Sequence, residues 1–193
     1  MAEIGRKQLL LLLIGLDADA RPEGSLSSLT RLQKFLYLLE REAGIQPTKN
    51  GFEFEPYKAG PYSPKLYDDL ELLENLGLIK GEGTAESTPT ERVDIEKLIF
   101  GDLMGGPDEV DGNSRTADAF EERRFSLTEE GKARAEALLK EGDYAPVVEQ
   151  VRKVKSKYSQ YSLKDLLRYV YEKYPEMTTK SEILNDLLGR RGG

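Results

Sequence analysis

Residues 52–79 constrain the fold more than any other part of this chain. The segment opens with the alternation Phe52-Glu53-Phe54-Glu55, turns through Pro56, Gly60 and Pro61, and enters a helix at Ser63-Pro64. Serine at a cap followed by proline at the first helical position is a strong start signal. The hydroxyl can accept an orphan backbone N–H, and proline has no N–H to leave unpaired. Leu66, Leu70, Leu73 and Gly77 then share one helical face, with Asp68, Glu71 and Asn75 opposite and Asp69 and Glu74 on the flanks. Gly77 ends the helix and Leu78-Ile79 begin a strand. Much later, Arg124-Phe125-Ser126-Leu127 reads as a second strand running into a helix at Thr128-Glu129-Glu130. Helix, strand, long excursion, returning strand, helix is the order of a winged-helix domain. It predicts antiparallel pairing of residues 78–82 with 124–127, and a third helix packed on the first two.

The flanking periodicity completes this outline. A first helix over residues 3–16 is apolar on most sides from Leu9 to Ile14 and so should be central. A second, over residues 28–43, carries Leu29, Leu32, Leu36, Leu39 and Ala43 at helical spacing, with Ser27 or Ser28 as cap and Gly44 as stop. After the helix ending near Lys140, Gly142-Asp143 marks a turn and another helix covers residues 145–158. Ser162-Leu163-Lys164-Asp165 then opens one with Leu163, Leu166, Leu167, Val170, Tyr171 and Tyr174 on its apolar face, ended by Pro175. Thr179 and Glu182 can open a last short helix closed by Gly189. The predicted fold class is mainly α with a small β-hairpin. A winged-helix-like domain spans residues 1–142, and a helical extension spans residues 143–193. The wing is interrupted at residues 83–123, where Thr88-Pro89-Thr90-Glu91 carries a capping-box pattern that opens a helix over residues 89–100, before a Gly- and Asp-rich stretch. That insertion reads either as a solvated surface loop or as an acidic arm that covers a basic surface or engages a partner.

Composition narrows the chemistry. With no Cys and no His, disulfides, thiol catalysis, zinc-finger ligation and the Ser-His-Asp triad are excluded. The lack of Cys fits a cytoplasmic protein. Arg6-Lys7 ahead of Leu9 to Ile14, with Ala18-Asp19-Ala20 behind, imitates a signal peptide. Glu3 lies in the supposed basic region, however, and the apolar run falls far short of the roughly 20 residues that span a bilayer, so a buried first helix is the better reading and no membrane partner is expected. Asp68-Asp69 is a tempting carboxylate pair, but adjacent helical residues diverge by about 100° and cannot converge on one metal or substrate atom. No glycine-rich phosphate loop follows a strand; the stretch from Gly101 to Gly112 lacks the Lys-Ser/Thr ending of a P-loop. The chain therefore reads as non-enzymatic, with no catalytic residue, metal ligand or cofactor assigned.

The net charge of −7 disfavours general affinity for nucleic acid, yet its distribution is uneven. Residues 81–122 hold twelve acidic and three basic side chains, whereas residues 151–180 hold eight basic and three acidic ones. In the basic segment Lys153, Lys155, Lys157, Tyr158, Tyr161, Lys164 and Arg168 interleave cations with aromatics, which suits phosphate contacts plus base stacking. A solvated helical face over buried tyrosines gives the same pattern. Asp68, Glu71 and Glu74 make the outward face of the third helix acidic. That face would repel a DNA groove and suit a basic protein partner. The sequence is also compatible with self-association. The terminal Gly192-Gly193 resembles the tail of ubiquitin-like modifiers, but nothing upstream has their β-grasp order, and a flexible tail is the simpler reading.

Phe54-x-x-Tyr57-x-x-Gly60-Pro61-Tyr62-Ser63, followed by Leu66-Tyr67-x-Asp69-Leu70 and preceded by Leu32-Gln33-Lys34-Phe35-Leu36-Tyr37, resembles the YwgA-like proteins. More distantly it resembles the SocA-like antitoxin domain called Panacea. Leu166-Leu167-x-Tyr169-Val170-Tyr171-x-x-Tyr174-Pro175 is similar to the C-terminal part of the YwgA type. The likeness covers residues 28–82 and 124–183 and leaves the acidic insertion outside. It implies an antitoxin-like or defence-associated regulatory adaptor and brings no catalytic set. Read physically, the motif Tyr57, Gly60, Pro61, Tyr62 and Ser63 is mostly structural. Gly60-Pro61 supports a tight turn, and the two tyrosines can bury their rings and hydrogen-bond their hydroxyls there.

Overall fold

A computed structural model describes residues 3–16, 28–48, 51–83 and 123–181. Within them the chain is mainly helical, with two separate two-stranded antiparallel sheets. The order is α1 (Arg6–Gly15), α2 (Leu29–Glu42), β1 (Glu55–Tyr57), β2 (Gly60–Tyr62), α3 (Pro64–Asn75), β3 (Ile79–Gly83), β4 (Arg123–Leu127), α4 (Glu129–Lys140), α5 (Ala145–Tyr158) and α6 (Leu163–Lys173). Short 3₁₀ turns occupy Gly142–Tyr144 and Pro175–Thr178. The expected helix at 89–100, the last short helix and the Gly-Gly tail lie outside the described residues.

Two helices form the centre. In α1 every residue from Leu9 to Leu13 is buried, so the apolar run is core. In α2 all eight residues from Leu32 to Leu39 are buried, which is more than its leucine stripe implied. The excess arises because α2 is wrapped on several sides. It meets β2, β4, α5 and α6, and Phe35 packs edge-on against Tyr158 of α5 at 6.4 Å. Leu36 and Leu70, both on predicted stripes, are buried.

The long-range strand pair forms as expected, in the register Ile79↔Leu127, Lys80↔Ser126, Gly81↔Phe125 and Glu82↔Arg124. Thr128 locks it to the next helix. Its backbone N–H donates to Leu78 O at 3.1 Å, its hydroxyl donates to Gly77 O at 2.6 Å, and that oxygen accepts from Gly131 N at 3.1 Å. The chain crosses so closely that a Cβ on Gly131 would lie 1.9 Å from Leu78 O. Gly77 itself is exposed beyond the end of α3 rather than part of its buried face.

The second hairpin lies in the turn segment ahead of α3. The alternation at residues 52–55 is not a strand; β1 begins only at Glu55, and Glu53 has a φ of 51°. Phe52 is held by side chains instead of a ladder. Its N–H donates to Glu40 Oε1 at 3.0 Å, and its carbonyl accepts from the Ser63 hydroxyl. Ser63 is thereby spent on Phe52 and does not cap α3, so Pro64 alone gives that helix its preset start. Gly60 is required at the β2 corner. Its φ is 84°, and a Cβ there would approach Tyr171 Cε1 of α6 to 2.8 Å.

Candidate interaction surfaces

The sequence-predicted basic segment is divided by the fold. Lys155 points inward: it is 2% exposed and its ammonium donates to Leu13 O at 2.8 Å and to Leu16 O, the carbonyls that end α1. A cation suits the negative end of a helix, so Lys155 is a buried cap and not a phosphate contact. Tyr158 is also fully buried and cannot receive a stacked base. Lys153 lies exposed on α5, 2.7 Å from Glu149. Arg168 sits 3.7 Å from Asp165, and Lys164 is exposed on α6. Lys157 and Tyr158 do converge, but on a carboxylate, and Tyr161 is half-buried edge-on against the Tyr158 ring at 5.5 Å.

That carboxylate is Glu42, at the last position of α2. Its Oε2 accepts from the Tyr158 hydroxyl at 2.5 Å and from Lys157 at 3.1 Å. Its Oε1 accepts from Tyr169 at 2.7 Å, Lys173 at 2.8 Å and Tyr174 at 3.2 Å. Burial would raise the Glu42 pKa, but hydrogen bonds from Lys173, Tyr158, Tyr169 and Lys157 outweigh it and hold the carboxyl at about 2. Lys157 lies 4.6 Å above the Tyr158 ring, and Lys173 lies 5.3 Å above Tyr169. One acidic residue thus ties α2 to both C-terminal helices and takes up two of the segment's cations. Glu42 and Lys173 were missed from sequence because the hub residue stands more than 110 positions before its partners.

On the acidic side, the structure separates the three α3 candidates. Glu74 is partly buried and accepts from Gly81 N at 2.9 Å, so it braces β3. Asp68 and Glu71 are exposed and make no ion pair among the described residues. Their neighbour Asp69 is 2% exposed, not flanking, and binds Arg6 through two hydrogen bonds of 2.6 and 3.3 Å and Lys7 at 3.0 Å. Asp68 and Asp69 therefore diverge, as a helix requires of adjacent residues.

Tyr57 and Tyr62 correct a second expectation. Tyr57 is 39% exposed and Tyr62 is half-buried, and they stack on each other at 4.8 Å instead of closing over the turn. Tyr67 of α3 extends the stack at 5.6 Å from Tyr62. Partial burial raises the Tyr62 pKa, and the nearby Tyr57, Glu55 and Asp68 add to it, so the Tyr62 hydroxyl stays protonated beside carboxylates. At 100° per residue the solvent half of α3 runs Tyr67, Glu71, Asn75, Asp68, Leu72, Leu76. Of the five exposed large hydrophobics among the described residues, four (Tyr57, Tyr67, Leu72 and Leu76) lie on β1, on α3 or at the α3 C-cap.

Among the described residues, no group of three or more acidic side chains is placed to hold a metal ion, and no helix is long and apolar enough to cross a membrane. No family model, no curated protein and no solved structure matches this chain.

Proposed function

We propose that this chain is a non-enzymatic regulatory or adaptor protein that binds a basic partner protein through α3 and the β1–β2 hairpin. The observation that carries this reading is the composition of one surface. Exposed apolar and aromatic side chains gather there beside Asp68 and Glu71, carboxylates that have no ion pair among the described residues. Aromatic residues enrich interface cores, and unpaired charge supplies steering and partner choice. The cations of α5 and α6 contrast with this, because Lys153, Lys157 and Lys173 face Glu149 or Glu42. The reading includes a winged-helix arrangement in which β3 and β4 form the wing, and α3 takes the place of a recognition helix turned from DNA to protein. A cytoplasmic setting and an antitoxin-like role accord with the absence of Cys and with the resemblance of the Gly60-Pro61 motif.

The test is affinity purification of the tagged full chain, analysed for both protein and nucleic acid. Wild type is compared with Asp68→Lys/Glu71→Lys and with Lys153→Glu/Lys164→Glu. A protein partner retained at low salt, lost on the α3 change and kept on the lysine change is the expected result. Nucleic acid retained by wild type and lost on the lysine change alone would overturn the proposal.

A further inference from the structure

Tyr57, Tyr62 and Tyr67 form a three-ring ladder, with centroid separations of 4.8 and 5.6 Å and ring planes tilted by 35° and 46°. The hairpin supplies two rings and the first turn of α3 the third. Strand register sets Glu55 opposite Tyr62, and Asp68 follows Tyr67 in the helix, so the ladder has a carboxylate on either side. Its outer rings are 39% and 42% exposed, and Tyr67 has only a long 3.4 Å hydrogen bond from Gln33. Of the nearby cations, Lys65 is paired with Glu53 at 2.6 Å and Lys58 is half-buried in the hairpin turn.

We infer that this ladder receives arginine side chains from a basic segment of the partner, an inference that rests on the proposed protein-binding role. A guanidinium is flat and weakly hydrated. It can lie on a tyrosine face while its N–H fork reaches a carboxylate at the edge. The ammonium of lysine is compact and strongly hydrated, so it gains less from the rings. Nucleobases also stack on tyrosine, but their phosphates would meet Glu55, Asp68 and Glu71. The ladder therefore reads the shape of the cation, while the unpaired carboxylates read its charge.

The experiment uses the full chain with ¹³C-labelled tyrosine rings, titrated with an acetylated Gly-Arg-Gly-Arg-Gly-Arg peptide, its lysine counterpart and an eight-residue oligothymidylate. The expected result is saturable movement of the Tyr57, Tyr62 and Tyr67 signals with the arginine peptide, at an affinity about threefold or more above the lysine peptide. Tyr57→Leu/Tyr67→Leu should erase that preference and Tyr57→Phe/Tyr67→Phe should keep it, while Asp68→Asn/Glu71→Gln should weaken both peptides alike. Equal binding of the two peptides, with the charge dependence intact, would overturn the ladder's role and leave the protein-binding reading standing. No saturable shift with either peptide would overturn both. Ring shifts with the oligothymidylate alone would overturn the inference in favour of single-stranded nucleic acid.

Discussion

Lys34 lies in the middle of α2, 2% exposed, and its ammonium makes one hydrogen bond, to Pro61 O at 2.9 Å. Burial lowers its pKa from 10.5 to about 7. The contrast with Lys155 is instructive, since that lysine has two carbonyls at a helix end to compensate its burial. Between pH 7 and 10.5 the unfolded chain binds a proton at Lys34 that the folded chain does not. Stability therefore rises with pH across this window, by about 1.4 kcal/mol per pH unit from this group. Below pH 7 both states are charged and the folded state bears the full desolvation cost, on the order of 5 kcal/mol. Lys34→Met keeps the volume and removes the titration, but strands the Pro61 carbonyl at a cost of about 1–3 kcal/mol.

The slope, more than the offset, tests this. In urea melts at pH 6, 7, 8 and 9, the stability of Lys34→Met relative to wild type should be highest at pH 6. It should fall by about 2–3 kcal/mol between pH 7 and 9. A difference constant across that range would refute the reasoning, because it would mean that Lys34 keeps its proton when buried and that Pro61 O and the local backbone compensate the charge. The hairpin is the element to watch: Pro61 joins Lys34 to the ring ladder, so a shift of the Tyr62 signal with the same midpoint near pH 7 is expected alongside.

Glu42→Gln probes the hub between α2, α5 and α6. The depressed carboxyl contributes stability above about pH 4.5 that is lost as pH falls toward 2, so circular dichroism should show an acid limb that is shallower in the variant. At neutral pH the same change should cost about 1–3 kcal/mol, since two lysines and three tyrosine hydroxyls lose the charge and one of the two acceptor oxygens they share. Gly131→Ala should cost about 1–3 kcal/mol through the contact with Leu78 O, whereas Gly142→Ala, which meets nothing within 4 Å, should shift the melting temperature little. Equal effects at the two glycines would contradict the close crossing of β3 and α4.

What could be read from sequence was whatever depended on neighbours in the chain. Pro64 and Gly77 bracket α3, and Thr128 and Ser162 cap their helices with bonds of 3.1 Å to Gly131 N and Asp165 N. Even the pairing of β3 with β4 across the long insertion was legible, because each segment is short and adjoins a marked helix end. The alternation at residues 52–55 does not mark a strand, for a physical reason. Period-two spacing reports which side chains are inside, and Phe52 is inside because Glu40 and Ser63 hold its backbone, with no partner strand at that point. The tyrosines show the same limit: Tyr158 is buried under α2 and Tyr57 is not, though both follow a lysine or a proline in polar surroundings.

Charge is where the sequence and the fold diverge most, and the cause is pairing. A segmental sum counts ionisable groups but cannot tell which have been spent. Residues 151–180 sum to a strong basic excess, yet Lys155 is spent on α1, and Lys157 and Lys173 on Glu42, a residue outside the segment. On α3 the opposite sorting occurs along four residues. Asp69 is spent on Arg6 and Lys7 and Glu74 on β3, while Asp68 and Glu71 remain turned to solvent without an ion pair among the described residues. A carboxylate satisfied within the fold gains little from a new cation, because it must give up a bond to make one. One that is exposed and unpaired has nothing to give up. The same two residues that survive this sorting are the ones beside the tyrosine ladder, and for that reason the partner-binding proposal rests on Asp68 and Glu71 and not on the acidity of the chain as a whole.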